Sequence, residues 1–127
     1  MSPSQDVQSA IAAAERVLPG ECAPEGEEDE RWQHLIKIGY FVESDPEAVW
    51  LFVLKWGSHE DEDLRGGVAT VLLEHLLEYH FNLIFPRVEV AAKQNSLFAD
   101  TFKSCWKLGQ AEEPSRAERW EQLKASL

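Results

Sequence analysis

Cysteine is scarce in these 127 residues: there are two, Cys22 and Cys105. Two thiols in different settings, one in an acidic stretch and one in a helical apolar pattern, fall short of a disulfide framework and point to a reducing compartment. Long apolar runs are missing as well. No window approaches the roughly 18 apolar residues that cross a bilayer. Residues Met1 to Val17 hold no basic leader followed by an apolar block, so neither membrane insertion nor secretion is expected and a cytoplasmic location is. Cationic side chains are few, 12 Lys and Arg against 23 Asp and Glu, for a net charge of -11. That deficit argues against nucleic acid, because neutralising phosphates needs clustered Lys and Arg. Glycine-rich phosphate loops and the HExxH zinc motif are absent too, and no histidine or serine stands in a recognisable nucleophile setting.

What is present is a chain 44% hydrophobic with five tryptophans, enough to fold as one domain with a core of large side chains. The acidity is lopsided. Residues 1–64 carry 15 acidic and 4 basic side chains, net -11, whereas residues 65–127 carry 8 of each. Two runs supply most of the excess: Glu25, Glu27, Glu28, Asp29 and Glu30, then Glu60, Asp61, Glu62 and Asp63. Solvated loops and helix starts account for such runs, and so does a docking surface for a basic protein.

The apolar spacing predicts about seven helices and no sheet. Val7, Ala10, Ile11, Ala14 and Val17 or Leu18 give a first helix that Pro19-Gly20 stops, within an N-terminal unit at 1–20. Residues 21–30 have no periodicity and read as an acidic loop, followed by a helical region over 31–127. A second helix spans Arg31 to Glu43 with Trp32, Leu35, Ile36, Tyr40 and either Gly39 or Val42 at helical spacing, and Gly39 is placed for close approach of a neighbour. Asp45-Pro46-Glu47 starts a third helix that reaches Trp56 before Gly57. A long fourth helix shows Leu64, Val68, Val71, Leu72, His75, Leu76 and Tyr79 on one face, with Gly66-Gly67 near its start predicting tight packing or local irregularity. Phe81 to Phe85 reads as a connection into Pro86, which opens a fifth helix ending near Lys93. Asn95 or Ser96 caps a sixth carrying Leu97, Phe98, Phe102, Cys105, Trp106 and Leu108 up to Gly109. Ser115 starts a last one with Trp120 and Leu123 inward.

A weak internal echo at an offset of 34 to 35 sets Trp50 and the residues after it against Phe85, and Asp63-Leu64-Arg65 against Leu97-Phe98. Helical-hairpin repeats have periods of this size. The stretch from about Arg31 to Gly109 resembles HEAT-like or armadillo-like repeats, with Asp63-Leu64-Arg65 similar to the Asp-Val-Arg element between the helices of a HEAT unit. The resemblance implies an all-α stack of antiparallel hairpins with a concave protein-binding face, in which Asp63 and Arg65 make structural ladders. The chain departs from that pattern in its few repeats and its glycine pair; a compact helical bundle is the alternative fold.

Glu74, His75, Glu78 and His80 form the one local concentration of metal-type ligands. On a helix, Glu74 and Glu78 share a face while His75 lies about 100° away, so one site would need a second element. Solvated glutamates around a half-buried His75 are expected instead, with no cofactor. Cys105, beside Phe102 and Trp106, reads as a small core hydrophobe. Trp32, Trp50, Trp56, Trp106 and Trp120 read as core, with Trp56 or Trp120 the candidates for an exposed anchor. The expectation is a non-catalytic protein-binding module in which Glu27, Glu28, Asp29, Glu30, Trp56, Glu60, Asp61, Glu62 and Asp63 meet a basic partner, for instance an immunity-type inhibitor covering a basic toxin. A ligand-binding domain or enzyme built on His75 and Glu78, or a homo-oligomeric structural subunit, are the rivals; the oligomeric state is left open.

Overall fold

Apolar residues recur at helical spacing from end to end, and in the computed structural model the described residues form helices and no strand. The structure describes residues 3–21, 23–24 and 26–127, with the side chains of Pro3 and Ser4 left aside; Cys22 and Glu25, singled out above, lie outside the described residues. The elements are α1 (Pro3–Val17), α2 (Glu30–Gly39), α3 (Pro46–Trp56), a continuous rod over 62–79, α6 (Phe81–Gln94), α7 (Ser96–Lys103), a short 3-10 turn (Gly109–Glu112) and α8 (Pro114–Ser126). The rod consists of α4 (Glu62–Gly67), a π-helical segment (Val68–Leu73) and α5 (Glu74–Tyr79).

Stop and start signals act where side-chain chemistry demands. Gly20 adopts φ +57°, and a side chain there would meet the Val17 carbonyl at 2.7 Å, so the turn that follows α1 requires a glycine. Asp29, Asp61 and Asn95 cap α2, α4 and α7, each accepting from backbone N–H groups of the first turn. Asp45 precedes α3 as expected but makes no capping bond; Pro46 at the first position sets that start instead. Pro86 does not open a helix. It lies inside α6, whose start at Phe81 is fixed by a bond from the Phe81 N–H to Gln110 Oε1 (3.0 Å). Pro86 and Asn82 are both exposed, so the turn in which the proline removes a helical donor lies on the outer side of α6. The sixth expected helix ends early, at Lys103, and residues 104–108 are irregular.

The helices neighbour one another in consecutive pairs: α1 with α2, α3 with the rod, and α6 with α7. First members adjoin, α1 to α3 by packing and α3 to α6 through the Glu47–Arg87 ion pair. Second members adjoin likewise, the π segment lying between α2 and α7. Trp120 of α8 closes the end against Phe85 and Phe102. Two fully or nearly buried rows run along the rod, Leu64, Val68, Leu72, Leu76 and Arg65, Ala69, Leu73, Leu77. A four-residue step on an α-helix drifts by about 40°, so three steps would carry such a row about 120° off the core. The wider π turn cancels that drift and keeps both rows inward. It also turns Tyr79 outward, to 43% exposure, where α-periodicity had placed it in the core.

On α2 the buried residues are Arg31, Leu35 and Ile38, with Val42 buried beyond the helix; Leu35 and Val42 belong to the expected stripe, whereas Trp32 is partly buried, Ile36 is exposed and Tyr40 is 76% exposed. The two adjacent glycines differ in kind. A Cβ on Gly67 would lie 2.0 Å from Trp32 Cζ3, whereas one on Gly66 would meet nothing within 4 Å. Gly66→Ala is therefore expected to raise stability by about 0.5–1 kcal/mol, because helical glycine costs that much entropy. Gly67→Ala should lower stability by about 1–2 kcal/mol through the displaced indole. Thermal melts of the two variants check the opposite signs; two equal shifts would contradict the packing of Trp32 on Gly67.

Candidate functional site

The two acidic runs, more than thirty residues apart in sequence, meet at Arg31. Its guanidinium is 2% exposed, with Nη2 2.9 Å from Asp29 Oδ2 and 2.7 Å from Asp63 Oδ2, and Nη1 3.5 Å from Asp61 Oδ2. Nη1 also donates to the Pro19 carbonyl at 3.3 Å, tying the end of α1 to the cluster. The Arg31 side chain holds the Asp29 carboxyl below its usual range, ahead of the opposing effect of burial. Three of the acids expected to face a partner are thus counter-ions of a buried cation. Among the described residues, one guanidinium faces three carboxylates, an excess of two negative charges.

Beside this cluster lies an open groove of about 950 Å³ between α2 and the rod. Trp32, Ile36 and Val71 give it apolar walls, Gly66 and Gly67 line it without side chains, and Asp61, Glu62 and Asp63 stand at one end. Glu62 and Gly66 also line a smaller groove of about 350 Å³ toward α7, with Arg65, Asp100 and Lys103. Glu62 therefore stands on the ridge between two depressions. It is exposed and makes no ion pair with any described residue.

The other acids expected to meet a partner divide by setting. Glu27, Glu28 and Glu60 are exposed, and Glu30 is exposed within 3.8 Å of His34 Nε2. Trp56 is corrected: it is 8% exposed, its Nε1–H donates to Glu15 Oε2 at 2.9 Å, and Phe52 and His59 pack on it. Trp120, the other candidate anchor, is 2% exposed. The exposed tryptophan is Trp106, at 73%, because α7 stops before it and the irregular segment turns it outward.

Around the rod's C-terminal half, His75 Nδ1 lies 2.8 Å from Glu78 Oε1. Glu74 is not solvated as expected but 7% exposed; it accepts from the Trp106 N–H at 3.3 Å, and burial raises its carboxyl above the usual range. Among the described residues no three His, Cys, Asp or Glu side chains are grouped as a metal ion would require. Cys105 is free and buried, its thiol pushed well up by desolvation, in keeping with a packing role.

A family model described as a family of unknown function (DUF6869) matches residues 21–126. The chain belongs to DUF6869. The match takes in the Arg31 cluster, the groove and Trp106, and leaves out α1. No curated protein and no solved structure matches this DUF6869 chain. Among the described residues no helix is long and apolar enough to cross a membrane.

Sequence reasoning had passed over Arg31 and Trp32 as functional residues. One signal was available: Asp29-Glu30-Arg31 and Asp63-Leu64-Arg65 repeat the same pattern at the 34-residue offset of the internal echo.

Proposed function

We propose that the chain is a non-catalytic protein-binding domain of a reducing, cytoplasmic compartment whose groove between α2 and the rod docks a basic partner. The observation that carries this reading is that Asp61, Glu62 and Asp63 of the second acidic run line a groove of about 950 Å³ together with apolar walls. Apolar surface supplies affinity and the surplus carboxylates speed encounter and reject acidic competitors. The order of helix pairs supports a short HEAT-like or armadillo-like stack as the scaffold, with Asp63 bound to Arg31 of α2 and Arg65 within 3.9 Å of Asp100 on α7 in the manner of a ladder. An inhibitor that covers a basic toxin is one concrete form.

The test is capture of partners from native lysate at low and high salt, with the double variant Glu60→Lys, Glu62→Lys beside Glu27→Lys, Glu28→Lys. Both pairs change charge equally and both replace exposed side chains. A basic protein retained at low salt, released at high salt and lost only with the first pair supports the groove. Equal loss with both pairs, or retention by both, overturns it.

A further inference from the structure

The groove's chemistry narrows the kind of side chain it accepts. Its walls are an indole and aliphatic groups, its end is carboxylate, and Gly66 leaves open space beneath an incoming chain. Such a sequence of surfaces complements a side chain with an apolar stem and a cationic head. The chain already shows which cation suits this setting: the Arg31 guanidinium carbon lies 5.2 Å from the Trp32 ring centroid while its nitrogens meet Asp29, Asp61 and Asp63. A planar guanidinium stacks on an indole and takes carboxylates through two parallel bonds, whereas an ammonium does neither as well.

We propose that the groove receives an arginine side chain of the basic partner, its stem along Trp32 and Ile36 and its guanidinium at Asp61 and Glu62. This rests on the docking reading above and names the group recognised there. Glu62 is the principal carboxylate, since Asp61 and Asp63 already serve Arg31. The partner's main chain passes over Gly66 on the ridge between the two grooves, where no side chain obstructs it.

Titrating the full chain with hexa-arginine and with hexa-lysine at low salt, followed by NMR shifts of backbone amides and indole N–H groups, tests this. Hexa-arginine should shift Trp32, Gly66 and Gly67 and bind about threefold to fivefold tighter than hexa-lysine, the margin of an exposed cation–π contact. Gly66→Leu keeps the charge and fills the groove, and should weaken hexa-arginine about tenfold or more; Glu62→Gln should weaken it without adding bulk. Circular dichroism melts confirm that each variant folds, and Glu62→Gln carries the test if Gly66→Leu does not. Equal binding of the two peptides, shifts spread over Glu27 and Glu28, or indifference to both substitutions overturns the arginine assignment. If the Glu60→Lys, Glu62→Lys pair still loses the partner, the docking reading survives that result; if it does not, both fall.

Discussion

Truncating Leu72 to alanine is expected to cost about 3–5 kcal/mol, the upper part of the range for buried leucines. Leu72 is fully buried in the π segment, and α2, α3 and α7 all pack on that segment. The segment that holds Leu72 is packed by α2, α3 and α7, so relaxation around a cavity there would be resisted by several elements at once. For a chain of this length the melting temperature should fall by at least about 10 °C. Leu54→Ala is the comparison: Leu54 is 37% exposed, and its loss should cost about 1 kcal/mol or less. Thermal melts of the two variants measure the difference. A Leu72→Ala melt within about 2 °C of wild type would mean that the rod is not the centre of the packing.

The rod also shows what the sequence could reveal and what it could not. Its existence was legible, because leucine and valine recur at three- and four-residue intervals over the whole span. Its inward face was read with the α period of 3.6, which found the buried Leu64, Val68, Leu72 and Leu76 but added Val71, His75 and Tyr79 and missed the row of Ala69, Leu73 and Leu77. The strict four-residue rows of Leu64 and Arg65 hold only if the helix widens, and a π segment has no composition signal that periodicity detects. Pro86 misled for a related reason. A proline is read as a helix start, yet the start at Phe81 is set by Gln110, a residue 29 positions away that no local pattern links to it.

The site was half legible. Both acidic runs were evident in the sequence. Which carboxylates are spent internally depended on a buried arginine, and arginine is read by default as a surface residue. Trp56 was misread because its cover, Glu15 of α1, is distant in sequence, and Trp106 because its exposure turns on where α7 ends. Ser104 closes that helix before Cys105, although the apolar spacing continues through Leu108.

Arg31 is the position where fold and charge are coupled most tightly, and Arg31→Ala should destabilise the chain by about 3 kcal/mol at neutral pH. Breaking a buried ion pair from one side costs about 3–5 kcal/mol, and the partial exposure of Asp61 and Asp63 places the expectation at the lower end. The pH dependence should change sign as well. In the wild type, Asp29 has its carboxyl lowered from the ordinary value of 3.8, so its contribution is present above that value and is lost as pH falls through the lower, folded one. Without Arg31 the Asp29 carboxyl loses the bonds that lower its range and is left facing two neighbouring carboxylates, which raises its protonation range in the folded state. Acidification from pH 6 toward about 4 should then stabilise the variant while the wild type gains nothing from this cluster. Adding Asp63→Asn to Arg31→Ala should recover part of the loss, since it removes one repelling charge, whereas Asp63→Asn alone should cost stability. Urea midpoints for the four proteins, at pH 7 and pH 4.5, give the coupling between the two residues directly. A strictly additive cycle at pH 7 would show that Arg31 and Asp63 do not act as a pair.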